Sequence, residues 1–263
     1  PGPPLLESAA RYDASLMRVV LLAAGFATRL HPLTLDRAKP LLDVGGRPVL
    51  SWILDRVLEG AEPSRVVLVT NHRFVDDFRA WAAEAPVEVE VLDDGTSTNE
   101  DRLGAIGDLA LAVEHMGPSD EPVLVVAGDN LVDFDLGPGL ASFDAAAGPL
   151  VFVRRVPEPV PPARYSEVLV EGDRVTRFRE KPEDPESPLS AICLHLYPSD
   201  LAEHLAAFRD ESPDLDAPGH FLEWLSHRRT LYATPVSGPY HDIGNHQTLA
   251  AAREAFADRG PTT

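Results

Sequence analysis

The stretch MRVVLLAAGFATRLHPLTLDRAKP, residues 17–40, decides how the chain folds. Near-continuous Val and Leu run into Ala23, Ala24 and Gly25, and Arg29 and Lys39 follow ten residues apart. An unbroken apolar run of this length reads as a strand covered on both faces. A small-residue loop at its end lets a ligand approach the backbone, and successive backbone N–H groups there can hold phosphate oxygens. Arg29 and Lys39 add charge to such a site. The plainer alternative is a tight strand-to-helix turn with two surface cations. No Gly-Lys-Ser/Thr follows, so the loop is not a Walker P-loop.

Working outward, further runs of strand length occur at 65–70, 87–93, 122–128 and 149–156. Helical periodicity lies between them. Leu50, Ile53, Leu54 and Val57 share one face of 47–60, Phe74, Phe78 and Trp81 share one face of 73–85, and 102–117 is a third helix. Strand and helix in alternation predict an α/β fold, a three-layer, doubly wound, mostly parallel sheet with ligands at the carboxyl ends of its strands. After residue 150 the texture changes. EVLVEGDRVTRFRE at 167–180 alternates about the turn signal EGD, which predicts a β-hairpin. A strand at 190–198, helices at 200–208 and 220–228, a strand at 230–236 and a closing helix at 245–257 follow. The Pro clusters at 157–162 and 182–188 read as loops within one domain, 17–263, preceded by an extension, 1–16. No internal repeat is evident.

The composition narrows the function. Of 263 residues, 44% are apolar and 25% charged, ordinary for a globular protein, but the formal net charge is −19. Such a surface repels nucleic acid and anionic membrane, so neither is expected as a partner. Clusters of Arg and Lys become informative, because each stands against the overall field. The single cysteine, Cys193, excludes an internal disulfide and fits a reducing, cytoplasmic compartment. No apolar run reaches the length of a membrane span, and residues 1–16 lack the cationic start and apolar core of a signal peptide.

Three further segments carry chemistry. The strand at 123–127 ends in Gly128 and Asp129, where a carboxylate outside the sheet edge can hold a nucleotide-bound divalent cation or simply cap a turn. Asp242, in PYHDIGNHQ at 239–247, is a second metal ligand or a cap of the last helix. Glu180 and Lys181 close the hairpin before Pro182 and either grip a phosphorylated, hydroxylated ligand or form an exposed ion pair. His31, His72, His220 and His241 lie near these segments without the spacing of a zinc pair on one helix. Cys193 reads as a small buried residue, and Trp52, Trp81 and Trp224 read as core.

In order and separation, LAAGFATRLHPLT…KP, AGD, EKP and HDIG resemble the sugar-phosphate nucleotidylyltransferases, from about Met17 to Ala257. LDDGTSTNEDRLGAIGDLALAV at 92–113 and DAPGHFLEWL at 216–225 resemble the nucleotide-selecting and neighbouring segments of one subgroup. The resemblance implies a nucleoside triphosphate over Ala23, Ala24 and Gly25, with Arg29 and Lys39 on its β- and γ-phosphates. It places Gly104 against the base, with Asn99 and Arg102 nearby. It has Asp129 and Asp242 share a Mg²⁺, Glu180 bind an acceptor hydroxyl and Lys181 the acceptor phosphate, and it divides the domain into a nucleotide half, 17–150, and an acceptor half, 151–263. Relatives are often dimers or tetramers, so a homo-oligomer is expected by analogy. The chain departs from the family at Ala27 and Ser166, where Gly is usual, and at Ile192 and Cys193, near the usual Asn-Ala-Gly. The last three positions bear on the acceptor. The expected reaction is therefore transfer to a sugar 1-phosphate, with phosphocholine or a phosphonate, usually with CTP, as the alternative acceptor. A choline pocket would use an aromatic cage, for which Tyr165, Tyr240 and Trp224 are the candidates. A third reading is a non-catalytic, ligand-sensing or subunit-forming relative, which should have lost metal carboxylates or cations. No hexapeptide repeats occur, so no appended β-helical acyltransferase is expected.

Overall fold

Alternate residues of the first strand face opposite sides of the molecule, and both sides are dry. In the computed structural model, which describes residues 16–146, 148–212 and 214–259, Met17, Val19 and Leu21 join one apolar core and Val20 another. A strand with a core on each face requires helices on both sides, which is a three-layer arrangement. The expected extension, 1–16, lies outside the described residues except for Leu16, which opens the first strand.

The first half comprises β1 (Leu16–Leu22), the ribbon β2 (Asp43–Val44) and β3 (Arg47–Pro48), α1 (Val49–Gly60), β4 (Glu62–Thr70), α2 (Val75–Ala82) and β5 (Glu90–Asp93). Next come α3 (Ala105–Met116), β6 (Val123–Ala127), β7 (Asn130–Val132), α4 (Gly137–Ala145) and β8 (Leu150–Arg155). The second half adds the hairpin β9 (Glu167–Glu171) and β10 (Arg174–Arg179), then β11 (Leu189–Tyr197), α5 (Leu201–Glu211) and α6 (Pro218–Ser226). It closes with β12 (Tyr232–Pro235), β13 (Tyr240–Asp242) and α7 (His246–Ala255).

Nine strands form one sheet in the order β5-β4-β1-β6-β11-β8-β12-β10-β9. The four on the nucleotide side are parallel, β11 runs antiparallel to β6 and β8, and the hairpin lies at the far edge. The sheet is therefore mixed, and it runs unbroken from residues before 150 to residues after it. Helices α1, α2, α4 and α7 pack on one face, and α3, α5 and α6 on the other. Burying each Val or Leu of these strands stabilises the fold by about 1.5–3 kcal/mol relative to exposure.

Several boundaries differ from the sequence expectation. The helix expected from 47 begins at Val49, because Arg47–Pro48 pairs with Asp43–Val44. The helix expected from 102 begins at Ala105, after Gly104 adopts φ +79°. The three-residue strands β7 and β13 and the helix α4 escaped the periodicity reading; β7 and β13 pair as a separate antiparallel ribbon. The three tryptophans are only partly buried. Each packs on the edge of a core and donates its indole N–H outward, Trp52 to Val44 O (2.8 Å), Trp81 to Ser51 Oγ (3.0 Å) and Trp224 to Glu211 Oε2 (2.9 Å).

Candidate active site

The carboxyl ends of β1 and β6 lie side by side, with Leu22 opposite Ala127 and Gly128 N–H donating to Leu22 O at 2.8 Å. A cleft of about 500 Å³ opens there, where the sheet topology places ligands. The loop after β1 forms one wall. Ala24, Gly25 and Arg29 line it. A Cβ built on Gly25 would meet nothing within 4 Å, so the backbone there is open to a ligand. Ala23 is a correction: its N–H is already bonded to Val69 O (2.8 Å), so it supports the loop from below and is not free for a phosphate. Asn71, which the sequence reading missed, is fully buried and donates to Ala24 O at 2.8 Å, fixing the loop from behind. Ala27 sits in the left-handed region (φ 49°, ψ 42°), which explains the usual glycine at this position. Arg29 is exposed at the cleft and has no ion-pair partner among the described residues.

Asp129 and Asp242 come together although 113 positions separate them. Asp242 pairs in register with Asn130, and Ile243 N–H donates to Asp129 O at 3.2 Å, so both carboxylates enter the same cleft. Although Asp242 is open to the cleft, surrounding protein pushes its carboxyl up from the ordinary range, Asp129 pushes it further, and Lys39, Arg29 and Arg154 oppose the shift. Lys39, which the family resemblance put on the β- and γ-phosphates, forms an ion pair with Asp129. Asn130 is 5% exposed; turned so that its NH₂ faces Asp129 Oδ1 (3.3 Å) and the Tyr240 hydroxyl (3.1 Å), its oxygen accepts from Cys193 N–H (3.2 Å). The β11 register shifts between Ala191 and His195, and this irregularity frees the Cys193 N–H for that bond. Two mutually repelling carboxylates with only oxygen donors fit a hard divalent cation, and Mg²⁺ typically takes one or two carboxylates and completes its shell with water and phosphate.

At the far end of the nucleotide wall, Arg102 and Gly104 line the cleft. Arg102 is clamped to Asp216 by two bonds of 2.9 and 3.2 Å. A Cβ on Gly104 would lie 2.5 Å from Leu215 O, so this glycine is required by the packing of 215–216. Asn99 is not among the residues that line the cleft. Its loop closes on the Asp101 carboxylate, which accepts from Thr98 N–H (2.8 Å), and only its carbonyl engages Arg102 (2.6 Å). Asp108, also missed, lines the cleft and is 6% exposed; burial pushes its carboxyl up to about 8, with Asp94 and Asp216 adding to the shift.

Glu180, Lys181 and Tyr165 also line the cleft, and Lys181 is near enough to Asp216, the partner of Arg102, to help lower its carboxyl. The Glu180 carboxylate is 8% exposed and pairs with Lys181 Nζ at 3.2 Å. It lies across Gly219, where a Cβ would fall 1.8 Å from Oε2. Ser166, in place of the usual glycine, ties the hairpin to β11 by accepting from Ala191 N–H (3.1 Å). The aromatic cage does not form. Trp224 stacks with Phe221 and Phe208 outside the cleft, while the Arg154 guanidinium lies over both the Tyr165 ring (5.5 Å) and the Tyr240 ring (4.8 Å). A guanidinium there repels a quaternary ammonium, which removes the support for a phosphocholine acceptor. Burial pushes the Cys193 thiol up to about 12, with Asp129 and Glu180 contributing, and lowers buried His195 to about 4, so neither is poised as nucleophile or base at neutral pH.

Residues 18–259 match the family described as Nucleotidyl transferase. The chain is 28% identical over 231 residues to the mannose-1-phosphate guanylyltransferase catalytic subunit beta of Drosophila pseudoobscura pseudoobscura, covering 86% of this chain and 59% of that protein. It is 29% identical over 237 residues to the mannose-1-phosphate guanyltransferase of Candida albicans, covering 87% and 61%. The chain thus spans about six-tenths of the length of these curated relatives. The UTP-bound UGPase from Acinetobacter baumannii superposes with a TM-score of 0.76 at 18% identity over 94% of this chain and 95% of that one, a likeness of fold. Because the family match runs from Arg18 to Arg259, through every element that lines the cleft, the chain belongs to the nucleotidyl transferase family.

Proposed function

We propose that this protein couples a nucleoside triphosphate to a sugar 1-phosphate, giving a nucleoside-diphosphate sugar and pyrophosphate. The observation that carries the reading is the pair Asp129 and Asp242 on the floor of one cleft, between an open glycine loop and the Glu180–Lys181 end. The curated relatives, named as mannose-1-phosphate guanylyltransferases, support it.

A phosphate oxygen of the acceptor attacks the α-phosphorus in line. The bond to the bridging oxygen breaks, and pyrophosphate leaves with the electron pair. A phosphate monoester is already an anionic nucleophile near neutral pH, so no side-chain base is required, which agrees with the shifted Cys193 and His195. The barrier is the meeting of two anions. Arg29, at the loop, stands where the departing pyrophosphate gathers charge, and Lys181 faces the incoming phosphate. Lys39 holds Asp129 in place and shields its charge from the triphosphate. Asp129 and Asp242 would hold Mg²⁺, which when bound neutralises phosphate charge. Fixing both substrates contributes on the order of 7–11 kcal/mol.

A pyrophosphate-release screen crossing the nucleoside triphosphates with sugar 1-phosphates and phosphocholine, with and without Mg²⁺, tests the reading. Release only with a sugar 1-phosphate and Mg²⁺ is expected. No release with any pair would favour a non-catalytic relative. A cytoplasmic setting fits the free Cys193, and no helix among the described residues is long and apolar enough to cross a membrane. A homo-oligomer is proposed by analogy with relatives and is checked by light scattering.

A further inference from the structure

The acceptor end of the cleft holds more positive charge than one phosphate requires. Arg154, at the end of β8, and Arg164, in the loop before β9, both line the cleft. Their guanidiniums stand 5.5 and 5.1 Å from the centroid of the same ring, Tyr165. Neither forms an ion pair with a carboxylate among the described residues, although Arg154 is near enough to oppose the shift of Asp242. The chain has 42 Asp and Glu against 23 Lys and Arg, and neighbouring guanidiniums around the cleft do find a carboxylate. Arg102 has Asp216, Arg179 has Glu167, and Arg155, next to Arg154, has Glu158. Two guanidiniums gathered at one tyrosine repel each other, and Asp242 offsets this for Arg154 only at longer range than an ion pair. The rings hold Arg154 in place: Tyr240 is fixed through its hydroxyl to Asn130, beside Asp129. Arg154 therefore stands between the carboxylate floor and Arg164, which is exposed. Lys181, which also lines the cleft, remains available to the reacting phosphate.

Resting on the nucleotidylyl-transfer reading above, we infer that the acceptor is a sugar 1-phosphate with a second anionic group, a carboxylate or a phosphate, which Arg154 and Arg164 receive. A guanidinium fork matches either anion through paired N–H bonds. The Tyr165 ring, which both cations approach, offers the sugar an apolar wall. The unusual Ser166, Ile192 and Cys193 line the same cleft, consistent with a pocket shaped for something other than a plain hexose.

The test measures pyrophosphate release from a mixture of the five common nucleoside triphosphates with glucose and mannose 1-phosphates, the corresponding uronic acid 1-phosphates, and the 1,6-bisphosphates. The wild type is expected to prefer one doubly anionic series, carboxylate or phosphate, roughly ten- to a hundredfold in kcat/KM. Arg164→Gln should erase most of that preference while leaving the neutral hexose 1-phosphate nearly unchanged, and Arg154→Gln, which also perturbs Asp242, should lower the anionic acceptors more than the neutral one. Arg164 is exposed, so its variant keeps the fold, and melting temperatures check both. Equal losses on every acceptor would assign Arg154 to the reacting phosphate and overturn the inference. So would a neutral hexose 1-phosphate used as well as its anionic counterparts; both outcomes leave nucleotidylyl transfer intact. Absence of release with every acceptor would overturn this inference together with the reading beneath it.

Discussion

Gly219→Ala separates catalytic geometry from stability in a single methyl group. The new Cβ would lie 1.8 Å from Glu180 Oε2, 2.3 Å from its Cδ and 3.0 Å from its Cγ. To reach ordinary contact distance the carboxylate must retreat by roughly 1.5 Å. The obstacle is the end of a flexible side chain, so the energetic cost is that of another rotamer, about 0.5–1.5 kcal/mol. Replacing a glycine inside α6 returns up to about 1 kcal/mol. The two nearly cancel, and for a domain of this size the melting temperature should move by less than about 3 °C. Function should not survive as well. Glu180 carries Lys181 at 3.2 Å, and Lys181 is held by a left-handed backbone (φ 48°) that cannot follow the moving carboxylate. A displacement of this size at a substrate-positioning group costs on the order of 100-fold in kcat/KM. The assay is pyrophosphate release with saturating nucleotide and varied acceptor, on Gly219→Ala, Glu180→Ala and the double variant. Because both single changes act on one carboxylate, the double variant should be no worse than Glu180→Ala. A Gly219→Ala enzyme within threefold of wild type, or losses that multiply in the double variant, would refute the reasoning.

Asp129→Asn should reduce turnover by 1,000-fold or more, the scale of several kcal/mol of lost charge stabilisation. Its melting temperature should stay within about 4 °C of wild type, because the lost Lys39 pair is offset by relief of repulsion on Asp242. Ala27→Gly, at φ 49°, should stabilise the protein by about 1 kcal/mol, read as a rise of about 2 °C in melting temperature. Asp108, raised from 3.8 to about 8, holds in the folded state a proton that the unfolded chain gives up near pH 4. Its contribution is therefore fully present below pH 3.8 and is lost as pH rises toward 8. Asp108→Asn should melt close to wild type at pH 4 and progressively above it up to pH 8.5; parallel melting curves across that range would contradict the buried acid.

The parallel half of the sheet was legible because its signals are local. Val19, Val20 and Leu21 announce a strand buried on both faces, and Gly25 and Asp129 follow such runs within a few residues. The hairpin at 167–180 was equally readable from its alternation about Gly172. Ala27 shows how a departure from pattern becomes intelligible with a dihedral angle: the position needs left-handed backbone, and alanine tolerates it at a cost.

The site's internal arrangement was not local. Asp129 and Asp242 meet through β7 and β13, three-residue strands too short to show a period. Lys39 sits in a 3-10 turn whose direction sends its ammonium onto Asp129, and the Asn99 carbonyl accepts from Arg102. Arg154 reads as one of two arginines after a strand; only the approach of Tyr165 and Tyr240 from separate segments gives it a place in the cleft. Sequence alone determined the class of fold, the strand ends where chemistry collects and the residue types available there, because side-chain period and turn chemistry act over a few residues. Tertiary structure decided which charges pair, which stay free and which wall each one faces, because those outcomes depend on contacts between segments far apart in the chain.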